Sequence, residues 1–418
     1  MRFKDLHKNI KVRVVESFLS STVSSMVFPF MAIYLSSHFG AKTTGLLLLI
    51  NVFIGIGMNF IGGYFSDQFG RRKMILLVAI IRFFAFFTMA LYNSPWFQSA
   101  FITFLMMTVN GICWGLAGPA NQAMLIDVST PEQRKYMYSI TYWGNNLSYS
   151  IGGILGAFLF KDYLFELFVA LTVVAAVVVV LIACLIDESY VPQRSRVKAA
   201  QHVIQIFSNY KRVIIDRVFI MYILAGILIL SMEAQLTNYI GIRLSDEMPA
   251  QQFLFWKIDG IKMLGILRSE NTILVVIFAL FMMKITNRFK DRSVLIASCL
   301  IYSAGYTVIS YSNHIWILLI FMVIATIGEV SRVPVEQAYM AAIPPADARS
   351  SYMAFNGLKF NFSNLIISIT VSLGAVLPSS AMAVFIGMIG LAGTLIFLFI
   401  TPNLEARKKE GELQQAVQ

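Results

Sequence analysis

The sequence predicts an all-α polytopic membrane protein, with about twelve transmembrane helices in two six-helix pseudo-repeat bundles. Three observations predict it. Of the 418 residues, 58% are hydrophobic and only 13% charged, with a mean hydropathy of +0.72; a soluble domain carries about 25% charged residues. The apolar residues gather into roughly twelve runs near the ~20 residues that a membrane span needs. Finally, Pro119-x-x-Gln122-Ala123, Arg134 and Asn146-x-Ser148 recur as Pro334-x-x-Gln337-Ala338, Arg349 and Asn361-x-Ser363, at a constant offset of 215 residues. A repeat at constant offset in matching contexts indicates two parallel halves.

Charge placement excludes other classes. The net charge is +11, which could suggest nucleic acid. Most of the 33 Lys and Arg residues, however, sit in short segments on one predicted side: the N-terminus, 71–73, 134–135, 194–217, 288–292, Arg349 and 407–409. That is the positive-inside pattern of a cytoplasmic face, with some attraction to anionic membrane lipids, and no nucleic-acid partner is expected. Cys113, Cys184 and Cys299 lie far apart in apolar runs, and the four His residues are scattered. No metal spacing, nucleophile motif or phosphate-cradling Gly loop is present, so neither an enzyme nor a cofactor is expected.

Approximate spans in order are 13–36, 44–66, 74–92, 98–119, 137–160 and 163–186. After a polar linker, 187–216, come 217–243, 271–289, 293–311, 315–338, 353–376 and 381–401, then a cytoplasmic tail, 402–418. The first bundle thus covers 1–186 and the second 217–401. The first run lacks a small-residue cleavage site and reads as a span, not a signal peptide. The segment 244–270 is expected to be the largest external loop. Its Phe253, Phe255 and Trp256 suit the lipid interface.

The first half carries several charged and polar candidates. Span 1 has Glu16, Ser20 and Ser24 at spacing four, a polar stripe facing the bundle; Glu16 can equally pair with Arg13. Pro29 should bend this helix. Between spans 2 and 3, Gly63-xxx-Asp67-xx-Gly70-Arg71-Arg72-Lys73 forms a tight basic hairpin. It reads as a charge latch for one conformation, and the plainer reading is a topology anchor. Arg82 sits near mid-depth in span 3 and needs a partner or water; it can neutralise an acid of the same half. Asp127 ends span 4. Span 5 reads Tyr142-Trp143-Gly144-Asn145-Asn146-Leu147-Ser148, then Gly152, Gly153 and Gly156, suited to close helix packing; Trp143 and Asn146 are candidates to line a cavity.

In the second half, span 7 carries Glu233, Gln235 and Asn238 in its outer third. Glu233 is either a cation or proton site or a hydrated vestibule residue. Span 10 carries Glu329, Arg332 and Glu336 at spacings three and four, on one face, where they can neutralise one another. Glu329 is the deepest and the leading proton or cation site; a structural ion-pair triad is the alternative. Lys359 shares a face with Asn356 and Ser363 and should face a central cavity.

The hairpin pattern at 63–73 resembles the signature between helices 2 and 3 of the major facilitator superfamily of secondary transporters. Together with Met124-Leu-Ile-Asp127, Tyr142-Trp143, Asn146-Leu-Ser148, Phe255-Trp256 and Ile327-Gly-Glu329 with Pro334 and Gln337, it is similar to the lactococcal LmrP-type multidrug/proton antiporters. The resemblance implies export of lipophilic, often cationic compounds, powered by the proton gradient. It also implies that Asp127 pairs with the basic hairpin and that Asp67, Asp127 and Glu329 are functional acids. Two departures stand out: Thr141 and Thr237 replace family acids.

The expectation is therefore a proton-coupled exporter in which Glu329, Glu233 and Asp127 handle protons or substrate charge. It should sit in a bacterial plasma membrane with both termini cytoplasmic, and it should act as a monomer on small-molecule substrates. A carrier for one metabolite or amphipathic lipid precursor is the first alternative. A non-transporting membrane sensor is the second.

Overall fold

A computed structural model describes residues 3, 6–129, 131–189, 213–286, 288–343, 352 and 355–417. The side chains of residues 59–68 and of a few others within helices lie outside that description. The chain forms two compact units, Met1–Phe39 with Leu47–Ile204, and Gly40–Leu46 with Gln205–Gln418.

In the first unit, α1 (Lys8–Val27) gives way to a 3₁₀ turn at Phe28–Phe30 and resumes as α2 (Met31–Phe39). Pro29, which lacks an N–H, produces this interruption. Helix α3 (Ala41–Phe69) ends at Gly70, and α4 (Arg71–Leu91) begins at once. Gly70 has φ 93° and ψ 152°, a region that essentially only glycine adopts. Then follow α5 (Ala100–Asp127), α6 (Pro131–Leu159) and α7 (Leu164–Leu185). The glycines of span 5 do what their spacing suggests. A Cβ at Gly152 would fall 2.4 Å from the Thr22 carbonyl oxygen, and one at Gly156 would fall 2.5 Å from that of Met26. Helices α1 and α6 therefore touch backbone to backbone.

The second unit contains α8 (Arg217–Ala234), α9 (Tyr239–Glu247), a hairpin of β1 (Gln251–Phe253) and β2 (Trp256–Ile258), and α10 (Gly260–Thr286). These are followed by α11 (Asp291–Ile309), α12 (Ile315–Ala342), α13 (Lys359–Gly374) and α14 (Ser379–Val417). Among the described residues, eight helical stretches are long and apolar enough to cross a membrane. Large apolar side chains such as Phe84, Val173, Leu395 and Phe399 lie 59%, 58%, 62% and 72% exposed. Apolar exposure on that scale marks lipid-facing surface. The fold is thus an all-α transmembrane bundle in two halves.

Three expected boundaries need correction. The external segment is not a loop over 244–270: only 248–259 links α9 to α10, and it contains the small hairpin. The stretch 260–270 looked like loop because of Lys262, Arg268 and Glu270, yet it forms the first three turns of α10, seated where Gly260 meets the Leu244 carbonyl. Span 7 is broken at 235–238. There Asn238 donates from Nδ2 to the Ala234 carbonyl at 2.8 Å, and Gln235 donates from Nε2 to Thr370 Oγ1 at 3.0 Å. The helix of span 12 runs on past 401: α14 continues through the expected cytoplasmic tail, held by ion pairs at Arg407 and Lys408. The expected linker lies outside the described residues over 190–212.

Candidate functional site

The basic hairpin joins three segments of the first unit. Arg71 Nε lies 3.5 Å from Asp127 Oδ2, and Ser189 Oγ donates to the same oxygen at 3.3 Å. Arg72 donates from Nη2 to the Ala183 carbonyl at 2.6 Å, and its backbone N–H meets the Glu188 carboxylate at 3.2 Å. The start of α4 is thereby tied to the end of α5 and to the chain leaving α7. Lys73 is exposed. Gly63 and Asp67 lie on α3, with side chains outside the described residues.

Deeper in this unit, Glu16 pairs with Arg13 at 2.6 Å and accepts from Ser20 Oγ at 3.4 Å. Among the described residues Arg82 forms no ion pair, and Glu16 acts on it only through space. Its Nε donates to the neutral Asn110 Oδ1 at 3.0 Å, and its guanidinium carbon lies 5.4 Å from the Phe86 ring centre. The available acid on α1 is already held by Arg13. Ser24 lines the same crevice as Arg82 and Ser20. On α6, Trp143 is 60% exposed. Its neighbours bind α1: Asn145 accepts from Ser17 at 3.2 Å, and Ser148 donates to the Phe18 carbonyl at 3.0 Å. Asn146 also has a partner in the structure.

The second unit holds the denser cluster. Glu329 accepts a hydrogen bond from Asn271 Nδ2 at 2.8 Å, and Asn271 also donates to Thr326 at 3.1 Å. Arg332 pairs directly with Glu336 at 2.6 Å and acts on Glu329 through space. The three residues on one face of α12 therefore share one direct ion pair, Arg332–Glu336, while Arg332 reaches Glu329 only through space. The reason is geometric: Arg332 stacks over the Tyr302 ring, 5.1 Å from its centre, and this fixes its direction. Glu233, in the last turn of α8, has Arg268, Arg332 and Tyr302 as electrostatic neighbours and acts on Glu329. The Tyr302 and Tyr306 rings meet at a tilt, 4.9 Å between centres, with both hydroxyls buried and Tyr302 beside Glu233. Two carboxylates, a carboxamide and two phenol oxygens thus converge.

The remaining candidates are placed around it. Lys359 Nζ lies 4.3 Å from the centre of the Tyr222 ring, over Gly226, and Tyr222 donates to the Glu336 carbonyl at 2.8 Å. Asn356, in the turn before α13, has a buried Oδ1 without a partner. Gln235 and Asn238 hold the break in span 7, as described above.

A separate network lies at the end of this unit where the sequence places the cytoplasm. Asp216 caps α8 by accepting from Phe219 N–H at 3.1 Å. It also accepts Arg407 at 2.7 and 2.9 Å and Tyr352 OH at 2.9 Å. Burial alone would raise the Asp216 pKa; the Arg407 guanidinium and the two other donors outweigh it and hold the carboxyl below its ordinary value. Lys408 pairs with Asp291 at 2.7 Å. Sequence reasoning missed Asp216, Arg407, Asn271, Tyr302 and Tyr306. Asn271 opened an expected span with no charge to mark it, and the tyrosines are unremarkable in an apolar run. Glu270 was hidden by the loop assignment, and Asn110 is a lone polar residue in an apolar span.

Two apolar helical units with ionisable groups buried among their spans define a secondary transporter of the membrane, not an enzyme. The chain belongs to the Major Facilitator Superfamily, whose pattern matches residues 16–256 and 259–417. It is 28% identical over 412 residues to the Na(+), Li(+), K(+)/H(+) antiporter of Planococcus maritimus, covering 96% of this chain and 97% of that one. It is 26% identical to the multidrug resistance protein MdtH of Salmonella arizonae, over 80% of this chain and 78% of that protein. A POT family transporter solved with a thioalcohol-conjugated peptide superposes with a TM-score of 0.74 at 15% identity, covering 94% and 96% of the two chains. The nucleoside transporter NupG does so with a TM-score of 0.69 at 12% identity, covering 94% and 99%. These two share the fold.

Proposed function

We propose that this protein is a proton-coupled antiporter that exports monovalent cations, with Glu233 and Glu329 taking proton and cation in turn. One observation carries the reading. Glu329 is held by a neutral carboxamide at 2.8 Å, while the arginine one turn away is committed to Glu336 at 2.6 Å. A carboxylate in a span needs compensation, and two neighbouring carboxylates favour taking up a positive charge. A proton and a monovalent cation meet that need equally. Alternating occupancy couples their fluxes, because each occupant excludes the other.

The ion named for the Planococcus maritimus relative supports this reading, since that similarity spans nearly the whole chain. Lipophilic cations form the second reading, favoured by the similarity to MdtH and by the neighbouring Tyr302 and Tyr306 rings; aromatic faces attract cations. The distribution of Lys and Arg supports a bacterial plasma membrane with both termini cytoplasmic. The proton gradient is the energy source, and a monomer suffices.

Everted membrane vesicles with an imposed proton gradient test the reading, with acridine orange reporting lumenal acidity. Dequenching on addition of Na⁺, Li⁺ or K⁺, lost in Glu329→Gln, is the expected result. Dequenching by ethidium alone moves the substrate to lipophilic cations. No response to any of them, from protein verified in the membrane, removes cation exchange from consideration.

A further inference from the structure

We propose that the first unit contains a binding site for a small monovalent anion, a halide or a carboxylate, centred on the Arg82 guanidinium. The site is a crevice among α1, α4 and α7, lined by Ser20, Ser24, Arg82, Phe86, Leu171 and Val178. All these residues belong to one compact unit.

The argument begins with charge. Arg82 is permanently cationic, and it stands in the middle of an apolar helix. Among the described residues it forms no ion pair. Its hydrogen bond is to Asn110 Oδ1, a neutral acceptor, from Nε. The nearby acid, Glu16, acts on it through space, but Glu16 is bound by Arg13 at 2.6 Å. Arg13, Glu16 and Arg82 therefore sum to one uncompensated positive charge beside the crevice. Cys113 also neighbours Arg82, and its buried thiol is neutral in that sum.

Geometry then selects the ligand class. Nε is held by Asn110, which leaves the two terminal nitrogens of the guanidinium as a fork of donors. Such a fork suits a carboxylate in two-point fashion and a halide as a point charge. The Ser24 hydroxyl forms no hydrogen bond among the described residues and stands on the crevice wall. Phe86 covers one side of the guanidinium, and Leu171 and Val178 supply an apolar wall. A small apolar crevice with one net positive charge admits a single small anion and excludes a large or multiply charged one. The site is distinct from the Glu233–Glu329 cluster and does not depend on that reading.

The test is equilibrium binding of radiolabelled chloride and, separately, radiolabelled acetate to the purified full chain in detergent, with gluconate as the bulky control. Saturable binding of either ion that gluconate does not displace is expected. Arg82→Lys should retain it, whereas Arg82→Gln should weaken it by more than about tenfold, the loss of one charge-assisted contact. Tighter binding of chloride assigns a halide; tighter binding of acetate assigns a carboxylate. Ser24→Val leaves every charge in place and should weaken binding several-fold, which serves if Arg82→Gln does not fold. Absence of saturable binding of both ions by the folded wild type overturns the proposal. Binding that is unchanged in Ser24→Val, and in Arg82→Gln where it folds, overturns it as well.

Discussion

Arg332 and Glu336, one turn apart on α12, form an ion pair of 2.6 Å. The pair decides what surrounds Glu329. With Arg332 engaged, Glu329 is left to Asn271, and the cluster keeps an acid whose counter-charge is exchangeable. Breaking such a pair in a buried setting by removing one partner costs about 3–5 kcal/mol. Glu336→Gln should therefore lower thermal stability and also free Arg332 to approach Glu329 or Glu233. Exchange should fall by at least about tenfold, since a resident cation displaces the transported one at about 1.4 kcal/mol per decade. Vesicle flux beside a melting curve checks both. Full flux in Glu336→Gln would show that the pair is a structural staple alone.

Asn271 is the dedicated donor to Glu329. Asn271→Ala removes a hydrogen bond to a charged acceptor, worth about 1.5–3 kcal/mol. The cation concentration for half-maximal exchange should shift by about tenfold or more, with expression intact. Asn271→Gln, which retains the carboxamide, should fall between the two. An unaltered half-saturation in Asn271→Ala would remove Glu329 from the cation site.

The inner network gives a pH signature. The Asp216 carboxyl is held below its ordinary value: burial opposes this, and Arg407, Phe219 N–H and Tyr352 outweigh it. A depressed carboxyl contributes stability that is present above the unfolded-state pKa of about 3.9 and is lost as pH falls through the lower folded value. Arg407→Met should destabilise the protein by about 1–3 kcal/mol at neutral pH. Its difference from wild type should shrink below about pH 4. Melting curves of both proteins across that range report the effect; a gap that stays constant into acid would contradict it.

Gly70 sits at φ 93° and ψ 152° between α3 and α4. Any side chain there is strained by about 1–3 kcal/mol. Gly70→Ala should lower the melting temperature and loosen the Arg71–Asp127 contact that the turn positions. A Gly70→Ala protein as stable as wild type would mean that the hairpin relaxes freely.

Much of this architecture was legible in the sequence because lipid imposes simple rules. Length and hydropathy mark the spans, and Pro29, Gly70, Gly152 and Gly156 act locally as their chemistry requires. What was not legible depended on competition between partners. Arg332 had two acids within reach on its own helix, and the Tyr302 ring on α11 fixed its direction. Arg82 was expected to meet an acid, but Arg13 had already taken it. The first turns of α10 read as loop because three charged residues masked a helix that packs against α9. The break at 235–238 had no proline or glycine to announce it. It depends on Gln235 reaching Thr370, a contact 135 residues distant in sequence.

The most direct measurement is proton release on cation binding, followed with a pH indicator in weakly buffered detergent solution. The account predicts that Na⁺ or Li⁺ added to the wild-type protein releases protons saturably, that Glu329→Gln releases almost none, and that Glu233→Gln reduces the release. Undiminished release from Glu329→Gln, or none from a wild type that still transports cations, would contradict exchange of proton and cation at this pair of acids.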